Sequence, residues 1–365
     1  MSALSPPMLP CRAMTLTRRE ALALLGAGTA ACAAERWSGV LAAQSPPRPV
    51  FAKGAIIRTL LRDVPPDALA SGPSLFHEHL SMRYPLGVKE HFTDDIALMI
   101  EEAKLAKADG VAAIVDGGHA DMNRSVDALR QISSESGLPV IASGGYYMQR
   151  SYPAELTTKS ADQIADELVK DAAASRFGAF GEIGQQGGVL TDDERKVFMA
   201  VAKAQARTGL PIFTHNAYTG TRPTQTPVPK DTAIKQLDLL LANGATPASV
   251  AIGHLCCLDD VKAGIPIEVA KRGAFVGFDR VTIALVPDAQ KVTTIMAIVE
   301  AGHASRILLA SDFSNARGLK KNGGGGLGQA VTVFAPMLLK AGMPEATLKS
   351  ILVDNPRVFL SFGPI

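Results

Sequence analysis

The chain has 365 residues, of which 47% are hydrophobic and 20% are charged, which excludes a disordered protein and predicts one large globular domain. Its formal net charge of +2 comes from residues 1–33, where three arginines oppose one glutamate, so the rest of the chain is formally neutral. A neutral domain has no electrostatic basis for binding a phosphate backbone, and we therefore expect no nucleic-acid partner.

Residues 1–33 resemble a bacterial twin-arginine export signal. Arg18 and Arg19 precede a short apolar stretch rich in alanine and glycine, and Ala31-Cys32-Ala33 is a suitable cleavage site. A second suitable site lies near Ala42-Ala43. The apolar stretch is too short to span a membrane, and no later run reaches the roughly 20 residues that a span requires. The sequence thus predicts a periplasmic or secreted protein without a membrane anchor.

The chain after the signal divides into a spacer and a domain. Residues 34–53 include a proline-rich segment that is typical of a linker, whereas residues 54–365 show regularly alternating hydrophobic patterns. We therefore predict a single folded domain over 54–365.

Eight short apolar runs, each closed by a polar or glycine-rich break, are predicted strands, at 75–80, 111–116, 139–143, 178–183, 211–214, 250–254, 274–278 and 307–312. Segments with helical periodicity separate them and include 94–108, 160–174, 192–208, 232–242 and 292–301. This alternation predicts parallel strands joined by helical crossovers, and eight strands fit one (β/α)8 TIM barrel. A doubly wound open sheet is the competing architecture.

Six side chains of metal-binding type lie in or at the ends of these strands: His77, His79, Glu182, His215, His254 and Asp312. Residues two apart in a strand face the same side, so His77 and His79 can both face a barrel interior while Glu78 points outward. A closed barrel gathers the carboxyl ends of its strands at one mouth, where the catalytic groups of this fold lie. The sequence therefore predicts that the six side chains form one site.

The ligand types in this set indicate which ions would bind. Imidazole and carboxylate donors suit Zn²⁺, with Mn²⁺, Co²⁺ and Fe²⁺ as alternatives, and the lack of thiolates in the set disfavours a structural zinc site. Because Glu182 has two oxygens, it can bridge two divalent ions. The other ligands then divide into His77, His79 and Asp312 for one ion and His215 and His254 for the other. We expect a hydroxide shared by the two ions to attack a small-molecule substrate.

Other motifs carry less chemistry. The glycine-rich segment 322–328 lacks the ending of a P-loop and is expected to be a mobile loop, with anion binding as the alternative. Cys256 and Cys257 are interpreted as small buried side chains rather than as soft metal ligands. His119, beside the end of the second predicted strand, is interpreted as a supporting or structural residue. The chain has no GxSxG nucleophile elbow.

Several short motifs follow one another in a set order: Phe76-His77-Glu78-His79-Leu80, Ser143-Gly144-Gly145-Tyr146-Tyr147, Gly181-Glu182-Ile183-Gly184, Thr214-His215, Ile252-Gly253-His254, Phe278-Asp279-Arg280, Asn322-Gly323-Gly324 and Asn355-Pro356-Arg357-Val358-Phe359-Leu360. In this order, from about residue 72 to residue 362, the sequence resembles the phosphotriesterase family of the amidohydrolase superfamily. The resemblance is greatest to its phosphotriesterase homology protein and lactonase-like branch.

This resemblance implies a hydrolase and assigns roles to three residues. Asp312 would both bind a metal ion and accept the proton of the nucleophilic water. Tyr147 and Arg280 match positions that line the substrate pocket of lactonase-like relatives. The resemblance also makes a homodimer reasonable.

One departure from the family pattern bears on the substrate. Members with phosphotriesterase or lactonase activity typically bridge their metals with a carboxylated lysine, whereas this chain has Glu182. We expect hydrolysis of an ester, lactone or phosphotriester. Carboxylic esters and lactones are favoured over phosphotriesters, because Glu182 replaces the lysine and because Tyr147 and Arg280 resemble a lactonase pocket more than a leaving-group pocket for aryl phosphates. The alternatives are hydrolysis of an amide or cyclic amide, and a barrel that binds metal or small molecules without turnover.

Overall fold

A computed structural model describes residues 48–83, 93–216, 228–258, 260, 262–282 and 286–363. The predicted signal over 1–33 and most of the spacer over 34–53 lie outside the described residues, so the predicted division of the chain stays a prediction. In the described part, no helix is both long enough and apolar enough to cross a bilayer.

The described chain forms a TIM barrel. Its eight parallel strands pair in chain order, and they are β3 (Ser74–Glu78), β4 (Ala113–Asp116), β5 (Val140–Gly144), β6 (Ala179–Gly184), β7 (Ile212–His215), β8 (Val250–Ile252), β9 (Phe275–Phe278) and β10 (Ile307–Leu309). These strands confirm the eight predicted runs and the fold class. A short antiparallel pair, β1 (Ile57–Arg58) and β2 (Asp63–Val64), precedes them and was not predicted.

The first and last strands of the barrel meet at their carboxyl ends. The backbone N–H of Asp312 donates to the carbonyl of His77 at 3.0 Å, and the N–H of His79 donates to the carbonyl of Phe313 at 3.0 Å. This seam excludes the competing open sheet, because an open sheet leaves its two edge strands apart. It also brings residues that are far apart in sequence to one place.

A helix crosses over between each pair of successive barrel strands. The seven are α1 (Ile96–Ala108), α2 (Val126–Ser136), α3 (Ala161–Ser175), α4 (Asp192–Thr208), α5 (Thr232–Ala242), α6 (Gly264–Lys271) and α7 (Asp288–Glu300). After β10, the chain ends in α8 (Ala335–Lys340), α9 (Glu345–Lys349) and α10 (Asn355–Leu360), with π-helical turns at Ala330–Phe334 and Ser350–Asp354. The five predicted helices are confirmed, although α7 begins four residues earlier than its hydrophobic pattern indicates.

Side-chain caps explain where several of these helices begin and end. Ser160 and Thr191 each accept a hydrogen bond from the backbone N–H three residues ahead, and each forms a full capping box. At the other end of α4, Gly209 adopts a left-handed conformation with φ of 73°, which suits glycine because it has no Cβ. These local signals are readable in the sequence and account for the accurate bounds of α3 and α4.

Two of the barrel strands contain a β-bulge. Leu75 pairs with Ile114, but Glu78 pairs with Asp116, so β3 has one residue more than β4 over this span. A second register shift lies in β6 between Phe180 and Ile183. Bulges re-aim side chains near active sites. The bulge in β3 contains His77 and the bulge in β6 contains Glu182, and both side chains face the barrel interior.

Aromatic side chains fill the barrel beneath the ligand-type residues. Phe76 and Phe213 pack edge to face with ring centroids 6.1 Å apart, and Phe359 of α10 packs against Phe76 and Phe275. The ring of His77 lies directly on this layer, 5.0 Å from the centroid of Phe213. The candidate ligands therefore lie on a layer of closely packed, buried aromatic side chains.

Candidate metal centre

The structure brings all six predicted metal-binding side chains together at the carboxyl end of the barrel. They are at most 5% exposed, and they are His77, His79, Glu182, His215, His254 and Asp312. Charged side chains are rarely buried to this extent unless they are paired or bind a metal. Three groups of candidate ligands can be distinguished among the described residues, and two of them include Glu182. The third consists of His77, His254 and Asp279.

The first group consists of His77, His79, Glu182 and Asp312. Nε2 of His79 lies 3.0 Å from Oδ1 of Asp312 and 3.2 Å from Oε1 of Glu182. Nε2 of His77 lies 3.5 Å from Oε2 of Glu182. The four ligand atoms lie within 4.8 Å of one another, which is close enough for a single ion to contact all of them.

The second group consists of Glu182, His215 and His254. Nδ1 of His215 lies 2.7 Å from Oε2 of Glu182 and 2.8 Å from Nε2 of His254. Two ring nitrogens and one carboxylate oxygen therefore converge on a small volume. Because Oε1 of Glu182 faces His79 while Oε2 faces His215, this carboxylate joins the two groups.

One buried nitrogen tests whether a metal ion fits the site. Nε2 of His77 makes no hydrogen bond, although the ring is completely buried, and its nearest carboxylate oxygens lie 3.5 and 3.8 Å away. A buried polar atom normally has a partner. A divalent ion between His77 and these oxygens would provide it, so the residues present fit a metal ion.

Asp279 is a further functional residue, which we did not predict. Its fully buried carboxylate lies 2.9 Å from Nδ1 of His77 and 2.9 Å from Nδ1 of His254, and it accepts a hydrogen bond from the backbone N–H of His254 at 2.8 Å. Burial opposes its ionisation, but the charge of His254 and the hydrogen bonds of both histidines hold its pKa well below the usual value. Asp279 thus directs Nε2 of both rings toward Glu182, as carboxylates behind metal-binding histidines do.

The carboxylates of the cluster control the protonation of two histidines in the metal-free protein. Burial tends to lower the pKa of His79, but Asp312 and Glu182 outweigh burial and raise this pKa to about 9. Burial acts in the same way on His254, and Asp279 and Glu182 raise that pKa to about 10. Both rings are therefore protonated at neutral pH in the metal-free protein. A bound metal ion would replace one proton on each ring.

His215 behaves in the opposite way. Burial and the neighbouring charge of His254 lower its pKa to about 4, so the His215 ring is neutral at physiological pH. Burial tends to raise the pKa of Glu182, but the surrounding histidines, His77 and His215 foremost, lower it well below its usual value. A neutral imidazole next to an ionised carboxylate is the state that metal ligation requires.

The two predicted substrate-binding residues lie directly beside the cluster. The hydroxyl of Tyr147 lies 3.2 Å from Nδ1 of His215, and Nη1 of Arg280 lies 3.2 Å from Oδ2 of Asp312. Burial tends to raise the pKa of Asp312, but the charge of Arg280 and the hydrogen bond of His79 lower it. Tyr147 also packs with Met82, Met122 and Met148 in a small apolar cluster. These methionines follow β3, β4 and β5, so the apolar wall lies on one side of the mouth.

The other residues noted in the sequence do not join the two ligand groups. Nε2 of His119 lies 2.8 Å from the carbonyl oxygen of Gly181, and burial lowers the His119 pKa to about 3. His119 is therefore a neutral donor behind Glu182, which suits the supporting role that we expected. Cys256 and Cys257 are buried, and Sγ of Cys256 accepts a hydrogen bond from the backbone of Arg280 at 3.2 Å.

The glycine-rich segment 322–328 packs against acidic side chains. A Cβ at Gly326 would lie 3.1 Å from the carboxylate of Glu102, and one at Gly328 would lie 2.5 Å from that of Asp109. Asp109 is itself paired with Nζ of Lys320 at 2.6 Å, so charges of both signs lie beside this segment. The loop interpretation and the anion site both stay predictions.

Comparison with known proteins identifies relatives over most of the chain. The sequence model of the phosphotriesterase family matches residues 59–360. The phosphotriesterase homology protein of Escherichia coli K12 is 30% identical over 299 residues, which cover 79% of this chain and 98% of that protein. An N-acetyltaurine hydrolase from Bos taurus is 27% identical over 357 residues, which cover 84% of this chain and 98% of the relative. The crystal structure of a resiniferatoxin-binding protein from Rhodobacter sphaeroides superposes with a TM-score of 0.75 at 28% identity, covering 84% of this chain and 94% of that one.

Proposed function

Because the chain belongs to the phosphotriesterase family of hydrolases, we propose that it is a metal-dependent hydrolase of carboxylic esters or lactones. One observation carries the proposal, namely that six buried ligand-type side chains form two groups that share Glu182. This arrangement matches the requirements of a two-metal hydrolytic centre. Many structural zinc sites contain thiolate ligands, and neither of these two groups does.

We propose that the centre binds two ions, with Zn²⁺ as the first choice and Mn²⁺, Co²⁺ or Fe²⁺ as alternatives. The first group would hold one ion and the second group the other, with Glu182 shared. The chemistry that bound divalent ions supply is Lewis-acid polarisation of the scissile bond and acidification of the attacking water.

In this proposal Asp312 accepts a proton from the water. Its pKa is lowered, so its carboxylate is ionised at neutral pH, and only 5% of the residue is exposed. Oδ2 faces Arg280 while Oδ1 faces His79, and these contacts fix the plane of the carboxylate. A fixed and ionised carboxylate in a dry site suits a general base. Burial of the cluster also excludes bulk water from the reacting groups.

The pocket residues guide the choice of substrate. Tyr147 and the methionines beside it form an apolar wall, and Arg280 places a cation on the other side of the same mouth. We propose that an acyl chain packs on the apolar wall, while Arg280 faces the more polar part of the substrate. The match of Tyr147 and Arg280 to pocket positions of lactonase-like relatives supports esters and lactones over phosphotriesters.

Amide hydrolysis is the second candidate, and the relatedness to N-acetyltaurine hydrolase favours it. N-acetyltaurine carries an anionic sulfonate, for which the Arg280 guanidinium is a suitable partner. The third candidate is a barrel that binds a small molecule without turnover, and the structural similarity to a resiniferatoxin-binding protein supports it. The two ligand groups argue against that alternative, because binding alone does not need a converged metal site.

A substrate panel tests these assignments. Protein reconstituted with a defined divalent metal would be assayed with aryl esters, γ- and δ-lactones, an aryl phosphotriester, and N-acyl amides that include N-acetyltaurine. We expect turnover of esters or lactones to exceed that of the phosphotriester. A preference for the anionic amide would replace the first candidate with the second, and a metal-loaded protein without activity on any substrate would support the binding protein.

Localisation and assembly are further proposals. We propose that the protein is periplasmic or secreted, on the basis of the twin arginine, and that it acts on a small-molecule substrate without a nucleic-acid or membrane partner. We also propose that it forms a homodimer, on the basis of family membership. Its mass in solution, measured by light scattering, would test the last point.

A further inference from the structure

Glu78 lies between two candidate ligands in sequence but does not belong to either ligand group. It ends β3, it is completely buried, and its carboxylate contacts the chain just after β10. Oε1 accepts a hydrogen bond from the backbone N–H of Ser311 at 2.8 Å, and Oε2 accepts one from the N–H of Phe313 at 2.7 Å. One carboxylate therefore binds the main chain on both sides of Asp312.

The main chain at Asp312 has an uncommon conformation. Its φ is 46°, in the left-handed region that residues with a Cβ seldom adopt. Its own N–H donates to the carbonyl of His77 at 3.0 Å. Three successive N–H groups, those of Ser311, Asp312 and Phe313, are thus bound by β3. Two of these N–H groups donate to the carboxyl group of Glu78 and the third donates to the carbonyl of His77, so the turn at Asp312 is held by hydrogen bonds on both sides and at its centre.

From this geometry we propose that Glu78 is a positioning residue for Asp312. By holding the peptide groups on both sides, it fixes the direction in which the Asp312 side chain leaves the backbone. Oδ1 is then presented to His79 and Oδ2 to Arg280. Without the Glu78 carboxylate, the N–H groups of Ser311 and Phe313 would be buried without partners, and rotation of these peptide groups to find partners would move Asp312.

Glu102 provides a matched control in the same protein. It is 1% exposed, and its two oxygens accept hydrogen bonds from the backbone N–H groups of Lys320 and Lys321 at 3.0 and 2.9 Å. It therefore makes the same kind of contact to the chain after β10, but it touches none of the six candidate ligands. Glu102→Gln should cost stability in a similar way without disturbing Asp312.

The test uses Co²⁺, whose visible absorption spectrum reports the geometry of its ligands. Metal-free wild-type, Glu78→Gln and Glu102→Gln proteins would be titrated with Co²⁺, and their thermal unfolding would be measured in parallel. We expect Glu78→Gln to weaken Co²⁺ binding at least about tenfold and to change the spectrum, as the loss of a residue supporting a ligand typically does. Glu102→Gln should keep the wild-type affinity and spectrum. Wild-type affinity and spectrum in Glu78→Gln, or an equal loss in Glu102→Gln, would overturn the proposal.

A double-mutant cycle separates a role through Asp312 from a general loss of structure. If Glu78 acts through Asp312, Glu78→Gln should have little further effect on Co²⁺ affinity in an Asp312→Asn background. Additive losses would contradict the proposal. If Glu78→Gln does not fold, Glu78→Asp serves as the second variant, because its shorter arm cannot reach both amides. A wild-type affinity and spectrum in that variant would also overturn the positioning role.

This inference rests on the proposed metal-dependent function, and the two can fail separately. If the wild-type protein binds no divalent ion, both fail. If the wild-type protein binds Co²⁺ and Glu78→Gln binds it equally well, only the positioning role of Glu78 fails.

Discussion

Nδ1 of His215 lies 2.7 Å from Oε2 of Glu182, whose other oxygen faces the first ligand group. Because Glu182 belongs to both groups, its loss should affect both ions, whereas the loss of His215 should affect one. We expect about two divalent ions per chain in the wild type. His215→Ala should retain mainly the ion of the first group, and Glu182→Ala should weaken the binding of both. Elemental analysis after stringent dialysis measures this, and a metal content near zero in protein produced with excess Zn²⁺ would contradict the two-metal proposal.

Removing the charge of Asp279 should weaken metal binding without removing a ligand. Asp279→Asn keeps the shape of the side chain, but it can no longer accept from Nδ1 of both His77 and His254 as a carboxylate does. We expect metal affinity to fall by roughly 10- to 100-fold. Glu194→Gln is the control, because Glu194 is a buried carboxylate that binds the backbone of Thr191 and Gln186 instead of a ligand. Competition with a chelator of known affinity gives the measurement, and equal affinities in the two variants would argue against the orienting role.

Asp312→Asn should preserve the fold and reduce the rate. The change removes the proposed proton acceptor and weakens one metal ligand, so we expect kcat to fall by about 10² or more. The circular dichroism spectrum should remain that of the wild type. Steady-state kinetics on the best substrate of the panel would check the prediction, and undiminished turnover would remove Asp312 from the role of general base.

Metal binding should release protons near neutral pH. The pKa of His79 is about 9 and that of His254 about 10 in the metal-free protein, and, although burial opposes it, the Glu182 charge also raises the pKa of His77 well above its usual value. These rings are therefore protonated near neutral pH and must lose their protons to bind an ion. We expect release of about two to three protons, and metal affinity that rises as the pH approaches these values. Calorimetric titrations in buffers of different ionisation enthalpy measure the release. A binding enthalpy that does not depend on the buffer would show that the rings are already neutral.

The same pKa values predict how the stability of the metal-free protein depends on pH. Since folding raises the pKa of His79 and of His254 above the unfolded value of about 6.5, their contribution is fully present below that value. It is lost as the pH rises through about 9 and about 10. The melting temperature of metal-free protein should therefore fall in this range, and bound metal should reduce the fall. Melting curves of both forms from about pH 7, below both pKa values, to about pH 11, above both, would show this.

Export should depend on the arginine pair. Arg18→Lys combined with Arg19→Lys should leave the full-length chain in the cytoplasm, whereas Arg12→Lys, in the same segment, should not affect export. The exported protein should begin near Ala33 or Ala43, which intact mass spectrometry would show. Unchanged export of the double variant would exclude the twin-arginine route.

The fold was readable because its signals are local. Each barrel strand is a short apolar run closed by a break, and helices such as α4 carry a Thr191 capping box at one end and Gly209 at the other. The β1–β2 pair was missed because strands of two residues have no detectable periodicity. The start of α7 was placed too late because its first turn, beginning at Asp288, lies before the regular hydrophobic pattern.

The candidate site was readable to a lesser extent. Histidines and acids at strand ends indicate a metal centre, and the structure places all six together. Asp279 was missed because an acid followed by Arg280 reads equally well as a surface pair, and only the closed barrel reveals that it faces His77 across 202 positions of sequence. The role of Glu78 was hidden for the same reason, since its two partners, Ser311 and Phe313, lie just after the last strand and far away in sequence, at separations of 233 and 235 residues.

The bulge in β3 has a consequence for anyone who wishes to transplant this centre into a designed scaffold. Phe76 belongs to the interior aromatic layer, and His77, its immediate neighbour, also faces inward. In a regular strand, adjacent side chains point to opposite faces, so either Phe76 or His77 would point out of the barrel. An idealised eight-stranded barrel that received the six side chains alone would aim some of them incorrectly. A graft would have to carry over the extra residue in β3, and the corresponding one in β6, as part of the active site.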